Sequence, residues 1–276
     1  MRLSKRSRML MRIAVALALA FIYIPLIVIA IYAFNESRSQ AWPIDGFTLE
    51  WFDRALNNPG VRDAFWTSIQ AALGATAVAL LLGTLASMAV SRYRFFGRET
   101  ISFLVILPIA LPGIVTGMAL NATFTQVLGV DLTLFTVIVG HATFCIVVVY
   151  NNALARLRRS APSLEEASAD LGADNWQTFR YVMLPQLRTA LLAGALLAFA
   201  LSFDEVIVTT FTSGAEQTLP IWIFTNLARP EQLPIINVVA LAVIVLSVIP
   251  VWIAVRLTRE PTGVGGTTGA AAGARG

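Results

Sequence analysis

The chain has 276 residues, 57% of them hydrophobic and only 13% charged, with a formal net charge of +4; a soluble domain carries about twice that charged fraction. A single cysteine, Cys145, and a single histidine, His141, exclude an internal disulfide and a Cys/His metal cluster. The only lysine, Lys5, follows no glycine-rich loop, which excludes a nucleotide-binding P-loop.

Recurrent apolar runs, each long enough to cross a bilayer as a helix, predict an all-α polytopic membrane protein with no cofactor, metal or catalytic centre of its own. In chain order, residues 1–10 read as a basic tail, and the first span covers 11–34. That run is too long for a signal-peptide core and no small-residue cleavage site follows it. The next loop has more acids than bases. Within it "FTLEWFDRAL" brings Phe47, Trp51 and Leu56 to one helical face. This predicts a short amphipathic helix on the outer membrane surface, with Trp51 and Phe52 at the interface.

Span two covers 65–90 and span three 100–128. Pro108, Pro112, Gly113 and Gly117 in span three kink the helix or allow close packing, which suits a cavity wall. In span four, 133–153, His141 and Cys145 fall one turn apart. With no acid beside the histidine, burial with one hydrogen-bond partner is favoured over a proton relay. Spans five and six cover 187–212 and 235–257. One membrane domain, 11–258, therefore holds nearly the whole chain, and 259–276, rich in glycine and without periodicity, reads as a disordered tail.

Of the 20 basic residues, sixteen gather on one side of these spans and only Arg38, Arg54, Arg62 and Arg229 fall on the other. Basic residues favour the cytoplasmic side, so both termini are expected inside. The same rule accounts for the basic N-terminus without nucleic acid.

Between spans four and five lies "PSLEEASADLGADNWQTFRYVMLP", residues 162–185. Ser163 and Glu166 have capping-box spacing and predict a helix start. Gly172 offers the left-handed residue that ends a helix. Asp174 and Gln177 repeat the capping spacing, and Pro185 is expected to stop the second helix before span five. Leu164, Ala167 and Leu171 form one apolar stripe; Trp176, Phe179, Val182 and Met183 form another. Neither helix is long enough to stand alone in water. Each must pack on the chain's own spans or on a second protein, and the pattern leaves both open.

"LSFDEVIVTTF" sets Asp204 and Glu205 among apolar neighbours. Intramembrane acids face a cavity or a partner. The other placement ends span five near residue 203, with the pair at the outer interface. Adjacent helical residues point about 100° apart, so one acid can line a path while the other packs elsewhere. Two carboxylates suit a solute with two or more ammonium groups.

Glu166, Ala167 and Ser168, then Gly172, Val182, Leu184 and Pro185, follow the spacing E-A-A-x3-G-x9-I-x-L-P, with Ser168 and Val182 the departures. The stretch resembles the EAA loop of permease subunits of type I ABC importers. "LPIALPGIVTGMAL", "GHATFC", "FTLEWF" and "LSFDEVIVTTF" look like polyamine and related permeases, nearest in pattern to the second permease subunit of spermidine/putrescine importers. The resemblance implies the six-helix type I permease fold in a bacterial inner membrane. It also implies three partners: an ABC ATPase dimer, a second and different permease chain, and an extracytoplasmic solute-binding protein. The EAA loop would be a coupling helix docked on the ATPase, with Glu166, Ala167 and Gly172 making or shaping the contact. Ser202, Asp204 and Glu205 would line the path of a cation such as spermidine or putrescine. Two positions depart from that likeness: Gly113 follows Pro112 where some spermidine permeases carry aspartate, and Val147 replaces a proline. The competing reading is a secondary carrier that works without an ATPase, with Asp204 and Glu205 binding protons or cations.

Overall fold

The computed structural model describes residues 4–161 and 163–258; the tail expected to be disordered, 259–276, lies outside the described residues. The first helix, α1, covers Lys5–Ala33. The oxygen of Ser4 accepts the Ser7 N–H at 3.1 Å and caps it. A capped start followed by good helix formers carries the helix through the basic segment. Residues 5–10 are thus the first turns of α1, not the tail expected from sequence.

The short helix α2, Glu50–Leu56, forms where it is expected, but the apolar face anticipated for it divides. Trp51 is 3% exposed, whereas Phe47 and Leu56 are each 75% exposed. The Trp51 indole N–H donates to the Asn35 carbonyl at 2.8 Å, and the ring packs in a cluster with Ala33, Trp222 and Val238. Burying a large ring whose N–H finds a partner is worth more than leaving it at an interface.

The long helix α3, Pro59–Arg92, buries Ala71, Ala75, Ala79, Gly83 and Ser87, one small residue at every fourth position. Residues four apart share a helix face, and small side chains let two backbones approach. The neighbour is α6, introduced below. A Cβ added at Gly83 would stand 2.9 Å from the Ile146 carbonyl oxygen. We expect Gly83→Leu to lower stability by about 1–3 kcal/mol through overpacking, read as a lower unfolding midpoint in detergent. Leu81→Ala, on the exposed side of the same helix, should leave that midpoint nearly unchanged.

Span three is not one helix. It divides into α4, Arg98–Ala110, and α5, Gly113–Ala122, which runs on through a π-turn at Thr123–Val127. The two halves are bent by 105°. The residue before a proline is pushed out of the helical region, and Leu111, before Pro112, has ψ 145°. Pro108 is carried inside α4, so Pro112 alone marks the break.

Helix α6 spans Leu134–Leu157 and buries His141, Cys145 and Tyr150. After it come α7, Ser163–Asp170, and a short turn, α8, Asn175–Gln177. A π-turn at Thr178–Met183 then leads directly into α9, Leu184–Phe203. Pro185 does not stop the second loop helix, as expected from sequence; Asn175–Phe203 is continuous over 29 residues. A proline inside a helix removes one N–H and crowds the carbonyl four residues back. The wider π-turn supplies the room, with the Leu184 N–H reaching five residues back to Phe179.

Span five also ends earlier than expected. Helix α9 ends at Phe203, and α10, Ile207–Thr212, starts after a break at 204–206. Helix α11 covers Leu219–Asn226, a single 3-10 turn Pro230–Gln232, and α12 Leu233–Thr258. Among the described residues five helices are long and apolar enough to cross a membrane, and the bent α4–α5 pair makes a sixth. The expectation of six spans is met when that bent pair counts as one span.

Helices α3, α6 and α9 form the centre of the bundle, with α4 against α6, α5 against α10, and α1 beside α12. Buried clusters succeed one another along its length. Trp51, Phe203, Leu219 and Trp222 lie at one end; Ala75, Cys145, Ala198 and Val208 follow. Leu157, Met183 and Leu187 close the end that carries α7.

Candidate functional site

The sequence singles out two groups of residues, and the structure sets them at different levels of the bundle. The first group belongs to the segment between α6 and α9. The Asp174–Gln177 capping box forms: the Gln177 N–H donates to Asp174 Oδ1 at 2.8 Å, and the Asp174 N–H to Gln177 Oε1 at 3.0 Å. Gly172 turns the chain at φ +81°, a conformation that costs any side chain. Helix α7 therefore folds back beside the π-turn that opens α9, and the Ser168 and Thr178 hydroxyls meet at 3.0 Å.

The two apolar stripes of this segment separate. Met183 is buried with Leu157 and Leu187, and Phe179 packs against them; that stripe is satisfied by the chain's own spans, apart from Trp176, which stays 63% exposed. The other stripe stays exposed among the described residues: Leu171 is 89% exposed and Leu164 50%. Glu166, Ala167 and Gly172 are exposed beside them, and Leu184 and Pro185 are exposed at the start of α9, with Val182 half-buried.

Sequence reading missed what ties α7 to the bundle. Arg92, the last residue of α3, forms an ion pair with Glu165, and both side chains are largely buried. Arg92 carried only a topological meaning in the sequence. No spacing signal links it to Glu165, because the two lie in different elements.

The second group lies at the α9–α10 break. Asp204 caps the end of α9 and lines a cleft walled by Phe203, Leu219, Ile223 and Val243. Glu205 turns the other way: its Oε1 accepts the Val208 N–H at 3.0 Å and so caps α10. A carboxylate suits the unpaired N–H groups at a helix start. The adjacent acids thus face different surroundings. Ser202 faces neither the cleft nor solvent. It is 2% exposed, and its hydroxyl lies 2.7 Å from His141 Nδ1.

His141 has two hydrogen-bond partners rather than the one expected, since its Nε2 lies 2.8 Å from Thr209 Oγ1. These contacts fix the depth of the break. His141 stands seven residues inside the start of α6, or about 10 Å along the helix, and it bonds residues on both sides of the break. Asp204 directly follows Phe203, which belongs to the buried cluster at one end of the bundle.

The break in span three lies alongside. The nearest atoms to a Cβ at Gly113 belong to Ile207, at 3.7 Å, and Gly117 meets the Phe211 ring. The Asn121 side-chain amide donates to the Phe211 carbonyl at 2.7 Å. Helix ends inside a membrane are tolerated where they line a cavity or are buried in protein, and here two of them adjoin.

Comparison with known proteins gives concordant results. The family model described as "Binding-protein-dependent transport system inner membrane component" matches residues 79–261. The chain is 33% identical to the spermidine/putrescine transport system permease protein PotC of Haemophilus influenzae, over 85% of this chain and 90% of that protein. It is 32% identical to the putrescine transport system permease protein PotI of Escherichia coli, over 81% of this chain and 80% of that one. Among solved structures, a chain of a bacterial ABC transporter that imports the acidic polysaccharide alginate superposes with a TM-score of 0.66 at 19% identity, covering 93% of this chain and 98% of the other.

Proposed function

We infer a division of labour from one premise: the chain belongs to the binding-protein-dependent transport system inner membrane component family, as a multi-pass ABC importer permease subunit. In the proposed arrangement it forms half of a translocation pathway. The 162–185 loop couples it to a separate ATPase dimer, with both termini on the same, cytoplasmic side. A second permease chain completes the pathway and an extracytoplasmic binding protein delivers the solute.

The observation that carries this reading is the state of α7. A helix of eight residues cannot hold itself together in water, yet Leu164, Ala167 and Leu171 all stay exposed among the described residues. At the same time the Arg92–Glu165 pair and the Ser168–Thr178 contact fasten the helix to the end of α3 and to the π-turn that leads into α9. A helix fixed at its base and bare on its apolar side is fitted to pass a push from a bound partner into the spans. ATP binding then matters only to the extent that it favours one arrangement of the spans over another.

The proposed solute is a small organic cation. Two relatives are named for spermidine/putrescine and putrescine transport, and the α9–α10 break supplies two carboxylates. Span three adds none beside it: Gly113 stands at the start of α5, next to Ile207.

Reconstitution tests the division of labour. In liposomes this chain alone, under an ion gradient, should carry no spermidine or putrescine. Together with its ATPase, second permease and binding protein it should carry them on ATP. Gradient-driven uptake by the isolated chain would establish the secondary carrier instead.

A further inference from the structure

His141 is fully buried in α6 and bonds both sides of the break in span five: Ser202 in the last turn of α9 and Thr209 in the first turn of α10. The Thr209 hydroxyl proton is already committed, because Thr209 Oγ1 donates to the Glu205 carbonyl at 2.7 Å. A hydroxyl has one proton to give. Thr209 can then only accept from the imidazole, so Nε2 carries the hydrogen. In a neutral ring Nδ1 is left as an acceptor, and the Ser202 hydroxyl donates to it. The resulting relay leaves no buried donor or acceptor in the set unpaired: Ser202 to His141, His141 to Thr209, Thr209 to the Glu205 carbonyl.

We propose that His141, as the neutral Nε2–H tautomer, is a positioning residue that fixes the angle between α9 and α10 and so sets where Asp204 and Glu205 stand toward the solute. The proposal rests on reading that break as part of a cation path. The chemistry favours histidine here. The two bonds leave from the two nitrogens of one rigid ring, so the separation of those nitrogens is constant, and the ring also packs against Phe144 of its own helix, 5.5 Å between centroids. A flexible or apolar side chain removes these two polar ties and leaves α10 held to α6 by the packing of Val208 against Ala142 and Cys145 and by the Thr136 hydroxyl at the Thr212 carbonyl. Glu205 moves with that change, because its carbonyl receives the Thr209 hydroxyl and its carboxylate caps the same turn at Val208.

His141 is the chain's only histidine, which makes a direct test available. Histidine labelled on both ring nitrogens gives one imidazole signal set from the assembled importer in bilayers, provided the partner chains are left unlabelled. Near neutral pH the expected result is one protonated nitrogen, Nε2, with Thr209→Val shifting that resonance and Ser202→Ala shifting the Nδ1 resonance. A proton on Nδ1, or on both nitrogens, overturns the assignment.

The second arm compares spermidine and putrescine uptake per assembled complex. His141→Leu should change the ratio of the two rates by about threefold or more, the scale that one hydrogen bond supplies, and His141→Gln should return it toward the unmodified value. Both rates falling together at a constant ratio overturns the positioning role, since a merely structural residue behaves that way. If His141→Leu does not assemble, Thr209→Val against Thr209→Ser applies the same ratio test. If the unmodified importer carries neither amine, the cation reading fails and the positioning role with it, whereas the tautomer still stands or falls on the resonance alone.

Discussion

Glu166→Lys is expected to leave the protein in the membrane and to lower ATP-driven uptake by at least about tenfold, equivalent to about 1.4 kcal/mol or more of docking energy. Glu166 lies exposed in the first turn of α7, with no part in the Arg92–Glu165 pair or in the buried cluster below it. A lysine there removes the favourable placement of an acid at a helix start, worth only about 0.3–1 kcal/mol, so the fold survives. Reversal of a charge at a contact between two proteins costs several kcal/mol. The variant's loss should therefore appear as loss of the ATPase from the purified complex, at unchanged membrane abundance. Gly172 tests the turn beside it. Its φ of +81° is strained for any side chain, yet nothing lies within 4 Å of an added Cβ. Asp enters that region at lower cost than most residues, while valine does not. Gly172→Val should thus uncouple more severely than Gly172→Asp. Full uptake by Glu166→Lys and Gly172→Val with the ATPase still bound would show that coupling runs elsewhere.

Asp204→Asn combined with Glu205→Gln is expected to lower uptake of spermidine or putrescine by about tenfold or more, because charge-assisted hydrogen bonds are roughly twice as strong as neutral ones. The substitutions separate charge from structure. Glutamine keeps an oxygen able to accept the Val208 N–H, so the cap on α10 persists. Asparagine keeps the size of Asp204 at the end of α9. Glu205→Ala is the control: it removes charge and cap together and should also lower stability by about 0.5–2 kcal/mol, the usual cost of a lost cap. Undiminished uptake by the double variant, with the complex intact, would remove the acids from the solute path. The single variants carry further information, since Asp204 borders the cleft near Leu219 and Ile223 while Glu205 is turned toward α10. Only Asp204 keeps a carboxylate free of a backbone bond, so Asp204→Asn should cost the larger share.

The number of spans and the position of the polar loop were legible in the sequence because both follow from short-range rules. A span declares itself by apolar length, and a capping box by two residues three apart, as Asp174 and Gln177 show. Gly172 announced its turn because left-handed backbone selects glycine. The stop expected at Pro185 failed for a reason of the same kind. The local rule forbids a regular α-turn there, but a π-turn satisfies it without ending the helix.

The letters of the chain thus carry a one-dimensional outline: a set of apolar crossings, a loop with two helical starts, one of them capped by Asp174 and Gln177, and two acids that had to be accounted for inside an apolar run. Which side of each element is covered was settled by the packing of the helices. Trp51 is drawn into the core, Leu171 is left bare, Arg92 finds Glu165 across more than seventy residues of chain, and His141 joins the two halves of a span that reads as unbroken. The physical reason is the range of the forces. Helix starts and stops are set by backbone hydrogen bonds between residues three to five apart. Burial and ion pairing depend on which helices touch, and in an almost uniformly apolar chain the letters give that choice little mark, because small residues and single polar groups, not hydrophobicity, select the partners.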